Sequence, residues 1–161
     1  MKKIIQLIML LVLTGQFYSC RGIYENGGEM AADCRSDINQ LSVKTLQTKI
    51  DTGGDYYLID IRQPSDYYTS NIPGSVSIPR GILEFKIGDT GLWSEQYIYP
   101  PEKKSEIILY SSDGELGILA AKTLMQLGYT NVYNLEGGYT AFNPHQDPNA
   151  VAVTPGAGCG G

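Results

Sequence analysis

Ile107-Ile108-Leu109-Tyr110-Ser111-Ser112-Asp113-Gly114-Glu115-Leu116-Gly117 is the stretch that decides the fold. An unbroken apolar run through Tyr110 suits a strand buried on both faces, because successive side chains point to opposite sides of a sheet. Ser111 to Gly114 are small and polar turn formers. Beyond them Leu116, Leu119, Ala120, Leu124 and Leu127 recur at helical spacing until Gly128 closes the segment. A strand, a short loop and a helix start in that order form an anion-cradling element: loop N–H groups point inward, and the helix end adds a partial charge of about +0.5.

The same alternation of strand and helix extends outward from this stretch. Ser42 can cap a helix with Val43, Leu46 and Ile50 on one face, stopped by Gly53-Gly54. Tyr56 to Ile61 reads as a second buried strand. Pro64 falls in the first turn of a short helix reaching Thr69, and Pro73-Gly74 turns the chain into a strand at Val76 to Ile78. Ile82, Leu83, Phe85 and Ile87 have helical spacing, followed by an irregular stretch around Trp93 that ends at Pro100-Pro101. Asn131 to Leu135 is the last strand, and Gly137-Gly138 turns into a short helix through Phe142. Strands separated by helices predict a three-layer α/β fold, a central and mostly parallel sheet with helices on both faces.

Four segments carry a resemblance: the Ser111 loop, Leu58-Ile59-Asp60-Ile61-Arg62, Asn71-Ile72-Pro73-Gly74-Ser75-Val76-Ser77-Ile78-Pro79, and Gly128-Tyr129-Thr130-Asn131-Val132-Tyr133-Asn134-Leu135-Glu136-Gly137-Gly138. Together they resemble the rhodanese (thiosulfate sulfurtransferase) family over roughly residues 38–142. The resemblance implies the same three-layer architecture. It also implies that the residue at the Ser111 position is the cysteine that carries the persulfide, and that an arginine at the loop's sixth position, here Leu116, helps hold the donor oxyanion. Gly114 keeps the family's fourth position. Asn71 stands where the family usually has histidine, and Asp60 and Arg62 match its Asp-Val-Arg segment, a structural pair expected to orient neighbouring loops.

Serine cannot replace the thiol, because the intermediate is a sulfur–sulfur bond formed by a thiolate, and an alcohol neither ionises near neutral pH nor forms a persulfide. Asp113 and Glu115 add negative charge beside Ser112 and Gly114. At ~6 Å and an effective dielectric of ~20, each charge facing a monoanion costs ~2–3 kcal/mol. Hydrolysis at Ser111 would need a base within reach, and the only histidine, His145, lies in the tail.

Lys2 and Lys3, the apolar run Ile4 to Leu13 and then Ser19-Cys20 have the layout of an export signal. The apolar run is too short to cross a bilayer, which takes roughly 20 residues. Phe17-Tyr18-Ser19-Cys20 resembles a bacterial lipobox. That implies a signal peptide over 1–19, lipidation of Cys20 and a membrane partner for the attached lipid. Arg21, rather than an aspartate, follows the cysteine, which favours the outer membrane in a Gram-negative cell. Residues 20–37, rich in Gly, Ala, Glu and Asp, read as a tether, and 143–161 as a flexible Pro/Gly-rich tail. With 17 acidic side chains against 12 basic ones, the chain is a poor partner for nucleic acid. Cys34 and Cys159 form a candidate disulfide worth ~4–5 kcal/mol on the chain-entropy model. Alternatively Cys159, among glycines, is a mobile thiol. No metal or cofactor is expected.

These features lead to an envelope lipoprotein whose degenerate loop (Ser111, Ser112, Asp113, Gly114, Glu115, Leu116) has lost thiosulfate sulfurtransfer and which acts as a binding or accessory module. Two alternatives stay open. One is a sulfur or selenium carrier or transferase using Cys159 on a small anion, and the other a structural partner of an envelope complex, with Tyr56, Tyr57, Tyr67, Tyr68, Tyr97 and Tyr99 as a rim.

Overall fold

The computed structural model describes residues 23–143. Cys20, Cys159, His145, the signal peptide and the tail lie outside the described residues. The strands are β1 (Asn39–Leu41), β2 (Tyr57–Asp60), β3 (Val76–Ser77), β4 (Ile107–Tyr110) and β5 (Val132–Leu135). They form one five-stranded sheet in the order β1-β5-β4-β2-β3, with every neighbouring pair parallel. The segment that opens the sequence argument is therefore the central strand, and its four residues are all buried.

Alternation along β4 divides the core. Ile107 and Leu109 face one side with Ile59, Ile61 and Val132, while Ile108 and Tyr110 face the other with Leu41, Leu58 and Leu135. The first side is covered by α1 (Gly27–Cys34), α4 (Leu83–Lys86), α5 (Thr90–Glu95) and α6 (Glu115–Gln126). The second is covered by α2 (Val43–Thr52) and α7 (Gly138–Phe142), and α3 (Pro64–Thr69) follows β2. Local chemistry explains the helix starts. Ser42 Oγ accepts the N–H of Thr45 at 3.1 Å to cap α2, and Pro64 opens α3. Leu46, wholly buried, anchors α2 on the sheet.

Three expectations are corrected. Residues 27–37 are not part of a tether: Asn26 Oδ1 accepts the N–H of Glu29 at 3.0 Å and starts α1, which buries Ala31 and Cys34 in the core that α6 shares. A short turn, Arg35–Asp37, then leads into β1, an edge strand paired with β5. The stretch around Trp93 is helical, because Asp89 Oδ1 accepts the Gly91 N–H at 2.9 Å and caps α5. Finally, Cys34 is a free thiol, 4% exposed and packed in the core. A bridge to Cys159 would require its side chain to leave that packing. The sheet, expected to be mostly parallel, is wholly parallel among the described strands.

Candidate functional site

Parallel pairing sets Asp60 opposite Tyr110, so the residues that follow β2 and β4 emerge side by side at the carboxyl end of the sheet. This brings Arg62 and the Ser111 loop into one neighbourhood, where ligands of open α/β sheets bind. Ser111 is 2% exposed, and its Oγ accepts the Gly114 N–H at 3.0 Å. Asp113 Oδ1 accepts the Glu115 N–H at 3.0 Å. Two amides at the start of α6 are therefore used by side chains of the loop itself. The Glu115 carboxylate pairs with Arg35, beyond the end of α1, so its charge is matched rather than aimed at an incoming anion. Leu116 is partly exposed at the first turn of α6.

The turn into α7 clamps the loop from the other side. Tyr139 N–H donates to the Ser111 carbonyl at 2.8 Å and Thr140 N–H to the Ser112 carbonyl at 2.9 Å. That approach requires glycine. At Gly138, with φ +57, a Cβ would stand 2.4 Å from the Ser111 carbonyl oxygen and 2.6 Å from the Gly114 nitrogen. Gly114, with φ +89, faces Gly137 N and Leu135 O, where a Cβ would come within 3.0 Å of each. Two glycine turns are thus pressed against each other, and neither tolerates a side chain without backbone movement.

Asp60 and Arg62 form a buried pair, their side chains 0% and 5% exposed. Arg62 Nη2 donates to Asp60 Oδ2 at 2.7 Å and to the Ser70 carbonyl at 2.7 Å, and Nε donates to both Asp60 oxygens at 3.0 Å. Its guanidinium lies 4.0 Å from the centroid of the Tyr139 ring and 5.4 Å from that of Tyr110. Burial works against the Arg62 charge, yet the Asp60 hydrogen bonds and charge outweigh it and hold the guanidinium above the usual arginine pKa. Tyr110 extends the network: its hydroxyl shares a 2.9 Å hydrogen bond with Ser75 Oγ and accepts the Ile72 N–H at 3.2 Å. Burial, followed by the nearby Asp60 charge, pushes its pKa up against the lowering effect of the Ser75 bond.

The structure therefore gathers Ser111, Asp113 and Gly114 in one loop and sets Asp60 and Arg62 at the end of the adjacent strand. Sequence reasoning missed Tyr139, which joins the two by donating its amide to Ser111 and its ring face to Arg62. An aromatic residue directly after Gly137-Gly138 was the available signal. It also missed Arg35, which reaches Glu115 from outside the expected domain. Asn71, exposed, donates its Nδ2 to the Tyr67 carbonyl at 3.1 Å and holds the end of α3.

Fold and loop together match one family. The sequence pattern that defines the rhodanese-like domain matches residues 42–145, and the chain belongs to that family. Two curated relatives are 25% identical. The "Putative sulfur carrier protein YrkF" of Bacillus subtilis (strain 168) aligns over 118 residues, 73% of this chain and 58% of that one. A sulfurtransferase of Allochromatium vinosum aligns over 111 residues, 69% of this chain and 94% of that one. This chain therefore spans less than two thirds of the B. subtilis relative. Among solved structures, a Rhodopseudomonas palustris CGA009 protein of unknown function, a possible tyrosine phosphatase, superposes with a TM-score of 0.63 at 30% identity. The match covers 78% of this chain and 94% of that one.

Proposed function

We propose that this rhodanese-like chain does not perform thiosulfate sulfurtransfer at its loop and serves the cell envelope as a lipid-anchored binding or accessory module. The observation that carries the reading is the internal saturation of the loop. Ser111 Oγ takes the Gly114 amide and the Asp113 carboxylate takes the Glu115 amide, where a family enzyme would offer amides to sulfur and its donor. An alcohol at Ser111 cannot hold a persulfide, and Leu116 supplies no charge for an oxyanion. Steady-state assay of the full-length protein with thiosulfate and cyanide should show no turnover above buffer. Turnover at rates comparable with the family's active enzymes would end this reading.

Lipidation of Cys20 would set the domain close to a bilayer, with the outer membrane favoured in a Gram-negative cell. Tyr24 is already tied down, since its hydroxyl donates to Asp33 Oδ2 at 2.6 Å. Four residue steps from Cys20 to Tyr24 span at most about 14 Å. No described helix is long and apolar enough to cross a membrane, so attachment in this reading rests on the lipid.

The sulfur carrier and sulfurtransferase named among the relatives favour one second reading, in which Cys159 carries sulfur or selenium that the loop cannot hold. Mass spectrometry after exposure to thiosulfate or selenite distinguishes it by a chalcogen adduct on Cys159, which a Cys159→Ser variant would lack.

A further inference from the structure

At the opposite end of the sheet from Ser111, the amino ends of β2 and β3 border an open cleft of about 140 Å³. Asp55, Tyr56, Tyr57, Gly74, Trp93 and Ile98 form its walls. Ile98 also lines a second cavity of about 370 Å³ with Tyr97 and Tyr99, so one aromatic loop borders both spaces. We propose that this cleft binds a compact organic cation of the quaternary-ammonium class, a site separate from the rhodanese loop and independent of the function proposed for it.

The rings are held in place before any ligand arrives. The Tyr57 and Trp93 planes are nearly perpendicular, at 89°, with centroids 5.3 Å apart. Trp93 Nε1 donates to the Ile87 carbonyl at 2.8 Å, and the Tyr57 hydroxyl donates to the Tyr99 carbonyl at 3.1 Å. Trp93 is wholly buried, so it is the floor, and the half-buried Tyr56 and Tyr57 carry the reachable ring surface. Ring faces carry partial negative charge and attract cations within ~6 Å.

Charge around the cleft has the complementary sign. Burial raises the Tyr57 pKa first, and the negative fields of Asp55 and then Glu102 raise it further. At Tyr56, Lys49 Nζ lies 5.9 Å from the ring centroid, but that lysine is paired with Glu106 at 2.8 Å. Asp55, Glu102 and Glu106 thus face Lys49 alone, leaving an excess of negative charge. Size narrows the ligand: the inner cleft is well below the roughly 300 Å³ at which drug-sized pockets begin, which suits a trimethylammonium head and little more. Tyr97, at the rim, holds φ +59, a conformation uncommon outside glycine that often marks binding loops.

Trp93 is the only tryptophan in the chain, so its emission reports this cleft alone. Full-length protein is titrated with choline chloride and, at matched ionic strength, with the neutral isostere in which carbon replaces the quaternary nitrogen. Choline should give a saturable change in Trp93 emission and saturation transfer from the protein to its methyl protons. The neutral isostere should bind about fivefold more weakly, the worth of a cation–π contact. Asp55→Asn, at an exposed position, should weaken choline binding about threefold with an unchanged unfolding transition. Equal binding of the isostere, absence of both signals, or an unaltered choline affinity in Asp55→Asn overturns the proposal.

Discussion

The two ends of the sheet use their polar groups in opposite ways. At the carboxyl end, the Ser111 hydroxyl, the Asp113 carboxylate and the amides of Gly114, Glu115, Tyr139 and Thr140 are all spent on one another, and Asp60 is spent on Arg62. At the amino end, Tyr56 and Tyr57 keep ring surface toward a cleft, and Asp55 stays exposed. The difference teaches where change is tolerated. A family-typical active site that has satisfied itself has become part of the scaffold, whereas an end that is left unsatisfied retains the capacity to bind.

The sharpest way to break this contrast is Gly138→Ala. Its Cβ would overlap the Ser111 carbonyl at 2.4 Å while the backbone stays at φ +57. Strain and overpacking together should cost about 3 kcal/mol, read as a lower midpoint in urea unfolding. A loss below about 1 kcal/mol would mean that the clamp yields easily and the loop is not scaffold.

Tyr110→Phe probes the same end more gently. Removing the hydroxyl leaves the Ile72 N–H and Ser75 without their partner, at about 1–2 kcal/mol near neutral pH. Its pH signature is distinctive. The folded Tyr110 pKa lies above its ordinary value of 10.0, so the native state holds the proton longer than the unfolded chain. Its stabilising contribution is complete below pH 10.0 and fades as pH rises through that value toward the folded pKa. The wild-type protein should therefore lose stability above that pH more steeply than Tyr110→Phe, measured by urea unfolding across the alkaline range.

The smallest effect, and of opposite sign, belongs to the cleft. Tyr97 is almost fully exposed at φ +59, so Tyr97→Gly relieves the backbone while removing little packing. It should stabilise the fold by about 0.5 kcal/mol, the relief exceeding the added freedom of the unfolded chain. Destabilisation in thermal unfolding would show that the ring contributes packing the exposure does not reveal.

Much of this architecture is legible in the sequence, because long apolar runs and caps act locally. The run ending at Tyr110 announces the central strand, Ser42 announces α2, and Gly137-Gly138 announces the turn that meets the loop. Other parts are hidden for definite reasons. Helix α1 buries only Ala31 and Cys34, so its sequence lacks a broad apolar stripe, and its place depends on α6 being there to receive it. Strand β1 is three residues long and exists through pairing with β5, a partner more than ninety positions away. The Asn26 to Glu29 spacing is the one local cue that points to α1.

By itself the sequence determined the chemistry available: an alcohol at Ser111, an apolar Leu116 in the loop, a buried-type Asp60 and Arg62, and tyrosines in number. These follow from residue identity, which no fold can alter. Only the tertiary structure decided how those groups are spent. Hydrogen bonds and ring contacts fall off within a few ångströms, so whether Asp113 meets a ligand or the Glu115 amide, whether Glu115 repels an anion or pairs with Arg35, and whether tyrosines pack or line a cleft depend on distances that folding alone sets.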